Sequence, residues 1–559
     1  MRGEFDDPAD AQTLVFGADD LAWQDSPLYG RVTDCFAMIR PALSLTVLLL
    51  TSLHADWPQW RGPGRDGVVP NAKLPDSWPE GFVPAKVWES SAIPSDHYGG
   101  HGSPVIAGGR VFLTLVWHRD VPTNTRILTN RIYSDMGART TNFSPELRAK
   151  FETDRLNLSP RLRGKALDEW IKTWMETNMD DKQKLMLDGW IQQRFKLGKT
   201  AIPLDDFDRI KPVVDKEFEN VEALRAWVAA QTWSDPATAD KVLAAVPNTK
   251  VAGKDAAVCF DLKDGKELWR FEAEGHAAGR VASVTPAVVV DKVYTVLSTK
   301  VYCFEAATGK VVWTAPVSTK RGIAFSPLVV DGLLIVDAGQ LCALDAATGS
   351  LVWKNGEFKV GNGSPVPWKD LILCNAENRE LMGIETATGT VRWKQPGGGA
   401  STPVVAGDVC LALGKAEGHN LSAFQLSKEG ARPLWSKGFV ARRYDASPVI
   451  HNGVAYHLGS NRHLCTDLQT GETKWEVERS SDLSSPLVAG DRLLVYENNG
   501  GFLAMIAADP AGHRILGRAK VGGLGCATPA LHENLAVIRT KDRLVCYDLT
   551  QPVSTNPVP

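Results

Sequence analysis

The sequence lacks the short motifs that usually mark an active site. None of its nine cysteines are adjacent, and no Cys-x-x-Cys pair occurs, so neither haem attachment nor a zinc ribbon is indicated. There is no His-Glu-x-x-His helix, no Ser/His/Asp motif and no phosphate-binding glycine loop. Gly397-Gly398-Gly399 follows one strand-like segment and precedes another, which indicates a connector. The sequence therefore predicts no catalytic residues and no metal ligands.

The chain also lacks a strong net charge and a long apolar run. Its formal charge is −3, or about +2 without residues 1–55, which gives no reason to expect nucleic-acid or membrane-surface binding. The apolar run at Pro41–Leu50 follows Arg40 and precedes Ala55. It is too short for a stable membrane span and predicts a signal peptide at 38–55, with a buried strand as the rival interpretation. Residues 1–37 would be an over-extended start or a leader, and the protein an exported one, periplasmic or extracellular.

Disulfides are not expected, although the chain contains nine cysteines. Five of them occupy nearly the same place in their separate repeats, namely Cys259, Cys303, Cys342, Cys465 and Cys546. Equivalent places in separate repeats are too far apart for a disulfide. We therefore expect the cysteines to be buried free thiols that pack as small apolar side chains.

What the sequence does contain is a repeat of about 40 residues. Successive tryptophans are separated by 44, 40, 40, 42 and 40 residues, at Trp269, Trp313, Trp353, Trp393, Trp435 and Trp475. Such a period with short β segments is typical of propeller blades. These rings are expected to pack between neighbouring sheets.

A second marker, Ser or Thr followed by Pro, occurs eight times in phase with the first. It precedes an apolar run at Pro104, Pro286, Pro327, Pro365, Pro403, Pro448, Pro486 and Pro529. Proline suits the first residue of a strand, so each repeat is predicted to have four strands, with this marker on the innermost one. The last repeat is one strand short, and Lys86–Trp88 can supply it. The predicted fold is all-β, an eight-bladed β-propeller closed by an N-terminal strand.

The repeat Ala343–Trp353 resembles the one named for pyrroloquinoline quinone (PQQ) enzymes. That family includes quinoprotein alcohol dehydrogenases and BamB-like assembly factors without catalytic activity. The segment Trp57–Gly67 is also similar to the start of secreted bacterial PQQ-like propellers of unknown function. The resemblance covers 57–117 and 251–549 and implies the fold, whereas function depends on loops. Within the family, dehydrogenases hold the quinone against adjacent cysteines and bind calcium with an acidic cluster. This chain has no adjacent cysteines. It also has no cysteine directly after its apolar run, so BamB-type lipid anchoring is not expected.

An insertion with helical patterning interrupts the first blade. The propeller is assigned to 56–117 and 251–549, the insertion to 118–250 and a tail to 550–559. Ser-Pro or Asp-Pro pairs at Ser144, Ser159 and Asp235 are typical of helix starts, and Gly198 of a helix end. The aromatic stripe at Leu167, Trp170, Ile171 and Trp174 is interpreted as the core of this insertion. A cap over one mouth of the propeller channel is the alternative.

A candidate binding site follows from the register of the repeats. The loops before the inner strands meet at one channel mouth, and several carry basic or aromatic residues. The candidate rim is His97, Tyr98, His101, Arg280, Arg321, Lys359, Arg442, Arg443 and Tyr444. Guanidinium groups bind carboxylate or phosphate, so a small anionic ligand or an acidic partner is predicted, with a solvated rim as the alternative.

These observations favour a non-catalytic, exported propeller that acts as a binding or scaffold protein at the cell envelope. Its expected partner is an envelope protein or a small anionic ligand. No cofactor is predicted with it. The alternative implied by the resemblance is a PQQ-dependent oxidoreductase of alcohols or sugars, with calcium and divergent site residues.

Overall fold

The computed structural model describes residues 56–69, 71–93, 101–277, 283–317, 325–399, 401–416, 418–438, 446–482 and 484–553. The predicted signal peptide and leader lie outside these residues. Two strands come first, β1 (Val68–Val69) and β2 (Pro84–Glu89). Sheet 1 follows with β3 (Val105–Ala107) and β4 (Arg110–Pro122). An insertion containing the paired strands β5 (Arg126–Ile127) and β6 (Glu217–Phe218) comes next, and β7 (Thr249–Asp261) and β8 (Glu267–Gly275) complete sheet 1.

Six further sheets follow the same plan, each with four consecutive strands. Sheet 2 has β9 (Ala287–Val289), β10 (Lys292–Val296), β11 (Lys300–Glu305) and β12 (Val311–Pro316), and sheet 3 has β13 (Leu328–Val330), β14 (Leu333–Asp337), β15 (Leu341–Asp345) and β16 (Leu351–Asn355). Sheet 4 has β17 (Val366–Trp368), β18 (Leu371–Asn375), β19 (Glu380–Glu385) and β20 (Val391–Pro396), and sheet 5 has β21 (Val404–Ala406), β22 (Val409–Ala416), β23 (His419–Leu426) and β24 (Ala431–Lys437). Sheet 6 has β25 (Val449–His451), β26 (Val454–Leu458), β27 (His463–Asp467) and β28 (Thr473–Val477), and sheet 7 has β29 (Leu487–Ala489), β30 (Arg492–Glu497), β31 (Phe502–Ala507) and β32 (Ile515–Lys520), with β1 added beside β29.

Sheet 8 combines the two ends of the repeat region. Its strands β33 (Ala530–His532), β34 (Leu535–Arg539) and β35 (Leu544–Pro552) are joined by β2 from the N-terminal side. Strand β2 runs antiparallel to β35, and Trp88 lies opposite Cys546. In each of the eight sheets the short first strand follows a Ser/Thr-Pro pair. Proline suits this place because it has no N–H to donate to a neighbouring strand.

The repeat tryptophans join each sheet to the next. In sheet 3 the Trp353 indole donates a hydrogen bond of 2.9 Å to the Thr386 carbonyl of sheet 4, and the ring packs on Gly389. Gly389 has φ +74°, and a Cβ there would overlap the ring, so only glycine fits. The same indole-to-carbonyl bond links Trp88 to Leu262, Trp269 to Ala306, Trp313 to Ala346, Trp435 to Leu468 and Trp475 to Asp509. These bonds explain why one tryptophan recurs in most repeats.

Sheet 7 lacks the repeat tryptophan and uses one from the N-terminal segment instead. The Trp78 indole donates to the Leu549 carbonyl of sheet 8 at 2.8 Å, and the Trp78 amide donates to the Leu516 carbonyl of sheet 7 at 2.9 Å. Gly517 lies directly against Trp78, where a Cβ would overlap it. Thus residues 78–89 supply the tryptophan that sheet 7 lacks and the fourth strand of sheet 8.

The insertion contains seven helices between β4 and β7. They are α1 (Asn130–Asp135), α2 (Pro145–Leu156), α3 (Lys165–Asn178), α4 (Asp181–Leu197), α5 (Leu204–Ile210), α6 (Val221–Ala229) and α7 (Ala237–Ala245), with 3-10 turns at Gly198–Thr200 and Lys211–Val213. Phe151, Ile171, Trp174, Ile191 and Phe195 belong to one buried cluster within the insertion, so the aromatic stripe forms its own core. None of the helices in the described part of the chain is both long and apolar enough to cross a membrane.

Three details differ from the sequence-based predictions. Strands β4 and β7 remain paired out to Pro122 and Thr249, so the insertion begins and ends inside the predicted limits of 118 and 250. Ser144 caps α2 as expected, but no helix begins at Ser159-Pro160; α3 begins at Lys165, after Gly164 turns the chain with φ 56°. Seven of the eight described cysteines are buried, whereas Cys526 is exposed because it lies in the loop before β33 rather than in a strand.

Candidate functional site

The start of the inner strands forms a ring of hydroxyl side chains. At seven of the eight positions the backbone N–H of the Ser or Thr before the recurring Pro donates to the hydroxyl of its counterpart in the next sheet. The bonds run from Ser103 to Thr285 (3.2 Å), Thr285 to Ser326 (3.1 Å), Ser326 to Ser364 (3.0 Å), Ser364 to Thr402 (3.1 Å), Thr402 to Ser447 (2.8 Å), Ser447 to Ser485 (3.0 Å) and Thr528 to Ser103 (2.9 Å). We call these eight residues the Ser/Thr ring. Its bonds join sheets 1 to 7 in order and sheet 8 to sheet 1.

The N-terminal residues 56–69, here the axial segment, run among the inner strands. The carbonyls of Trp57 and Pro58 accept hydrogen bonds from Ile106 of sheet 1 (2.9 Å) and Val288 of sheet 2 (2.8 Å). At its other end, the Gly67 carbonyl accepts from Val488 of sheet 7 at 2.8 Å, and β1 pairs in parallel with β29. The segment thus crosses from sheets 1 and 2 to sheet 7.

Two buried arginines fix the middle of the axial segment. Arg65 donates to the carbonyls of Ser326 (2.9 Å) and Pro327 (2.8 Å) of sheet 3. Arg61 donates to the carbonyls of Ser447 (3.3 Å) and Pro448 (2.7 Å) of sheet 6. They are 1% and 0% exposed, respectively. The two guanidinium groups therefore connect the axial segment to sheet 3 and to sheet 6.

A tryptophan adds a contact to another sheet. The Trp60 indole donates to the Thr402 hydroxyl of the Ser/Thr ring at 3.0 Å, in sheet 5. With the bonds above, the axial segment contacts the inner strands, or the ring residues before them, in sheets 1, 2, 3, 5, 6 and 7. A segment that reaches six sheets in this way occupies the space that their inner strands surround.

Burial shapes the electrostatics of this centre. It lowers the pKa of Arg61 to about 10, an effect partly opposed by the charge of Asp66. It lowers the pKa of Arg65 to about 9, and the charge of Arg61 adds to that effect. Both groups stay protonated near neutral pH, and their Nη atoms donate mainly to backbone carbonyls of this same chain, while neither Nε has a partner among the described residues. The two guanidinium groups thus hold the axial segment against the inner strands.

Sheet 6 contains a second buried polar group, a set of histidines. His463 Nε2 lies 2.7 Å from the Ser481 hydroxyl, and its Nδ1 lies 3.1 Å from His513 Nε2. Burial lowers the pKa of His463 to about 2, and the charges of His513, Arg479 and His457 add to that effect. Burial likewise lowers the pKa of His457 to about 4, and the charge of Arg462 adds to that effect. These imidazoles are neutral in the folded protein near neutral pH, so they make the fold sensitive to acid.

Of the predicted rim residues, the described structure includes two. Lys359 is exposed in the connection after β16, and its carbonyl accepts from the Glu377 amide at 2.8 Å. His101 is half-buried, with its Nδ1 3.2 Å from Cys526 Sγ. His97, Tyr98, Arg280, Arg321, Arg442, Arg443 and Tyr444 lie outside the described residues. The anion-binding rim therefore stays a prediction.

Sequence reasoning missed the axial segment and the role of the Ser/Thr ring. The segment Trp57–Gly67 was treated as a family marker, yet its two arginines in a glycine-rich stretch before the first repeat were an available signal. The hydroxyl residue before each proline was used to set the register of the repeats. Its recurrence also indicated a side-chain role, which the ring bonds now show.

The quinone and calcium of the alternative hypothesis find no matching residues in the described structure. No group of three or more His, Cys, Asp and Glu side chains within the described ranges is arranged to hold a metal ion. The described cysteines are free and non-adjacent, and burial raises the pKa of thiols such as Cys410 to about 12. These residues do not fit a quinone packed on a cysteine pair beside calcium, and we derive no reaction step through that cofactor.

Comparison with known proteins agrees with this architecture. A family model described as outer membrane protein assembly factor BamB matches residues 219–332, 253–362 and 303–511, which together span more than half of the chain. The chain belongs to this family. Its repeats form a PQQ-like β-propeller. A curated BamB of Bordetella pertussis is 24% identical over 58% of this chain and 86% of its own length, and one of Burkholderia pseudomallei is 26% identical over 62% and 90%.

Solved structures with similarity to the chain include a BamB and a quinohemoprotein alcohol dehydrogenase. BamB from Moraxella catarrhalis is 17% identical, with coverage of 52% of this chain and 91% of that chain and a TM-score of 0.42. A quinohemoprotein alcohol dehydrogenase from Pseudomonas putida is 13% identical, with coverage of 55% and 74% and a TM-score of 0.42.

Proposed function

We propose that this protein is an exported propeller that binds an envelope protein as a scaffold and does not itself catalyse a reaction. In this proposal the eight sheets are eight blades around one axis, and β2 closes the ring. The observation that carries the proposal is the axial segment, because the chain's own residues fill the place where the inner strands meet. Recognition is then left to the outer surfaces and the loops.

Two contacts support closure of the ring between sheets 8 and 1. The Thr528 amide of sheet 8 donates to the Ser103 hydroxyl of sheet 1 at 2.9 Å. The Trp88 indole, on β2 in sheet 8, donates to the Leu262 carbonyl beside β7 at 2.7 Å. Both repeat the bonds that join the other neighbouring sheets, as expected for equivalent blades in a closed ring.

The outer strands supply a candidate partner surface. The residue before the repeat tryptophan is apolar and exposed in four successive sheets, 8, 1, 2 and 3, as Val87 (46%), Leu268 (42%), Val312 (41%) and Val352 (50%). Sheets 4 and 6 carry Arg392 and Lys474 at that position. Charged residues protect exposed strand edges from pairing, and the apolar series lacks that protection. We call Val87, Leu268, Val312 and Val352 the apolar edge.

The family relationship suggests which partner this edge holds. The relatives are called outer membrane protein assembly factors, and we propose the same class of partner here, a protein of the outer-membrane assembly machinery. An acidic group on that partner, or a small anionic ligand, would occupy the predicted rim, of which Lys359 and His101 are the described members. The proposal includes export through the predicted signal peptide at 38–55, which would bring the protein to the required compartment.

The experiment measures binding of the purified full-length chain to the assembly complex of its source bacterium. The double variant Val312→Glu/Val352→Glu should weaken binding at least tenfold, because it places two charges in an apolar contact. The matched control, Arg392→Glu/Lys474→Glu, alters equivalent positions outside the apolar edge and should retain binding. Equal affinity of both double variants and the wild type would contradict the surface assigned here.

A second arm tests the absence of catalysis. The purified protein receives PQQ and calcium, and dye-linked oxidation of alcohols and sugars is followed together with the quinone absorbance. The proposal predicts neither turnover nor a bound-quinone spectrum. Sustained turnover would replace the scaffold by the quinoprotein alternative.

A further inference from the structure

Cys526 differs from the other described cysteines in its exposure. The remaining seven are buried in the sheets, and burial raises the pKa of their thiols, to about 11 for Cys342 and about 12 for Cys259 and Cys546. Thiols of that kind are poor nucleophiles because the thiolate is the reactive form. Cys526 is exposed in the loop between β32 and β33.

The position of Cys526 brings it against a histidine of another sheet. Its Sγ lies 3.2 Å from His101 Nδ1. His101 and Cys526 each precede a residue of the Ser/Thr ring by two positions, and the ring bond from Thr528 to Ser103 holds those two positions together at 2.9 Å. The pair is therefore built by the contact between sheets 8 and 1.

The loop that carries the thiol is fixed by three backbone hydrogen bonds, two to other segments and one within the loop. The Gly525 carbonyl accepts from Ser484 (2.8 Å), the Leu524 amide donates to Arg539 (2.8 Å), and the Ala527 amide donates back to Leu524 (3.1 Å). On the histidine side, Gly102 packs so closely on the Thr114 and Val284 carbonyls that a Cβ would overlap them. The sulfur and the imidazole thus face each other without a large loss of conformational entropy.

We propose that Cys526 and His101 form a nucleophilic thiol site that reacts with disulfides, either of small thiols or of an exported protein. His101 accepts the proton of the Cys526 thiol, and the thiolate attacks one sulfur of the disulfide. A new disulfide forms at Cys526 Sγ, the original disulfide bond breaks, and the departing thiolate takes the proton from the imidazolium. Electrons and protons balance, and the incoming disulfide is the oxidant. The product is a mixed disulfide at the contact between sheets 8 and 1.

The experiment treats the folded full-length chain with dithiobis(nitrobenzoate), an aromatic disulfide, and locates the label by peptide mass spectrometry. Cys526 should react first, and at about pH 7 it should react about tenfold faster than in the chain unfolded in urea, because His101 favours the reactive thiolate only in the folded protein. His101→Gln should remove that advantage, and Cys526→Ser should remove the label. The control variant Cys342→Ser should behave as the wild type.

The outcomes separate a site from an ordinary surface thiol. Preferential labelling of Cys526 that depends on His101 supports the proposal. Labelling of Cys526 at the same rate in the folded and unfolded wild-type chain overturns it without reliance on any variant. A His101→Gln variant that reacts as fast as the wild type overturns it as well. Incubation with glutathione disulfide, followed by intact-mass measurement, then tests whether a small biological disulfide is accepted.

Discussion

Replacement of His457 by valine should make the protein less sensitive to acid. His457 lies on β26, is 1% exposed, and neither ring nitrogen has a hydrogen-bond partner among the described residues. Burial, aided by the charge of Arg462, lowers its pKa from 6.5 to about 4. The unfolded chain therefore binds a proton below about pH 6.5 that the folded protein does not bind. Stability consequently rises with pH between about pH 4 and pH 6.5, and it is lost as the pH falls through that window.

The magnitude follows from the two pKa values. Protonation of the unfolded chain at about pH 5 costs the wild type about 2 kcal/mol relative to about pH 8, and the full shift corresponds to about 3 kcal/mol. Valine is the appropriate substitute because Val336 and Val495 occupy the equivalent position of β14 and β30. It cannot bind a proton and fits a place that is apolar in the neighbouring repeats.

The assay is denaturant unfolding followed by tryptophan fluorescence at about pH 8 and about pH 5. The difference in unfolding free energy between His457→Val and the wild type should grow by about 2 kcal/mol on going to the lower pH. His419→Val is the control, since that histidine lies half-buried on β23 with Ser436 as a hydrogen-bond partner. If His457→Val and the wild type lose the same stability between the two pH values, the account of His457 is wrong.

Two further predictions concern the contacts between sheets. Gly389→Ala should destabilise the protein by more than about 2 kcal/mol because its Cβ would overlap the Trp353 ring. Gly332→Ala is the control: Gly332 has a similar φ of +75° but open space around it, so the substitution should cost only about 1 kcal/mol. Equal losses of stability in thermal unfolding would show that the Trp353 ring does not restrict position 389. Trp88→Ala should cost about 3–5 kcal/mol, since it removes a buried ring and the hydrogen bond to Leu262. A change below about 1 kcal/mol in denaturant unfolding would show that β2 contributes little to sheet 8.

The repeat plan could be predicted from sequence because each repeat carries its own local signals. Proline marks the start of a strand because it is unfavourable in a strand interior, and glycine permits a positive φ beside a tryptophan. Both residues recur with a fixed period. Trp88 could be assigned to the short last sheet by the same reasoning, and the structure pairs it with Cys546. Such signals depend on short-range geometry, which a single sequence contains.

The axial segment could not be predicted in that way because its contacts are long-range. Arg65 binds Ser326 and Pro327, more than 250 positions away, and nothing in the local pattern names those partners. Basic residues are usually exposed, so nothing in the local sequence indicated that Arg61 and Arg65 are buried. Cys526 was expected to be buried on the basis of its apolar neighbours, but the loop bonds of Gly525 and Ala527 turn it outward.

Hydrogen exchange of the axial segment would show whether the chain's own residues 56–69 fill the space among the inner strands. Native-state exchange followed by mass spectrometry would compare the peptide containing β1 with the one containing β29, which the structure pairs in parallel. Both peptides should exchange as slowly as the other inner strands and should open together. Exchange of residues 57–69 within seconds, while β29 stays protected, would contradict this arrangement.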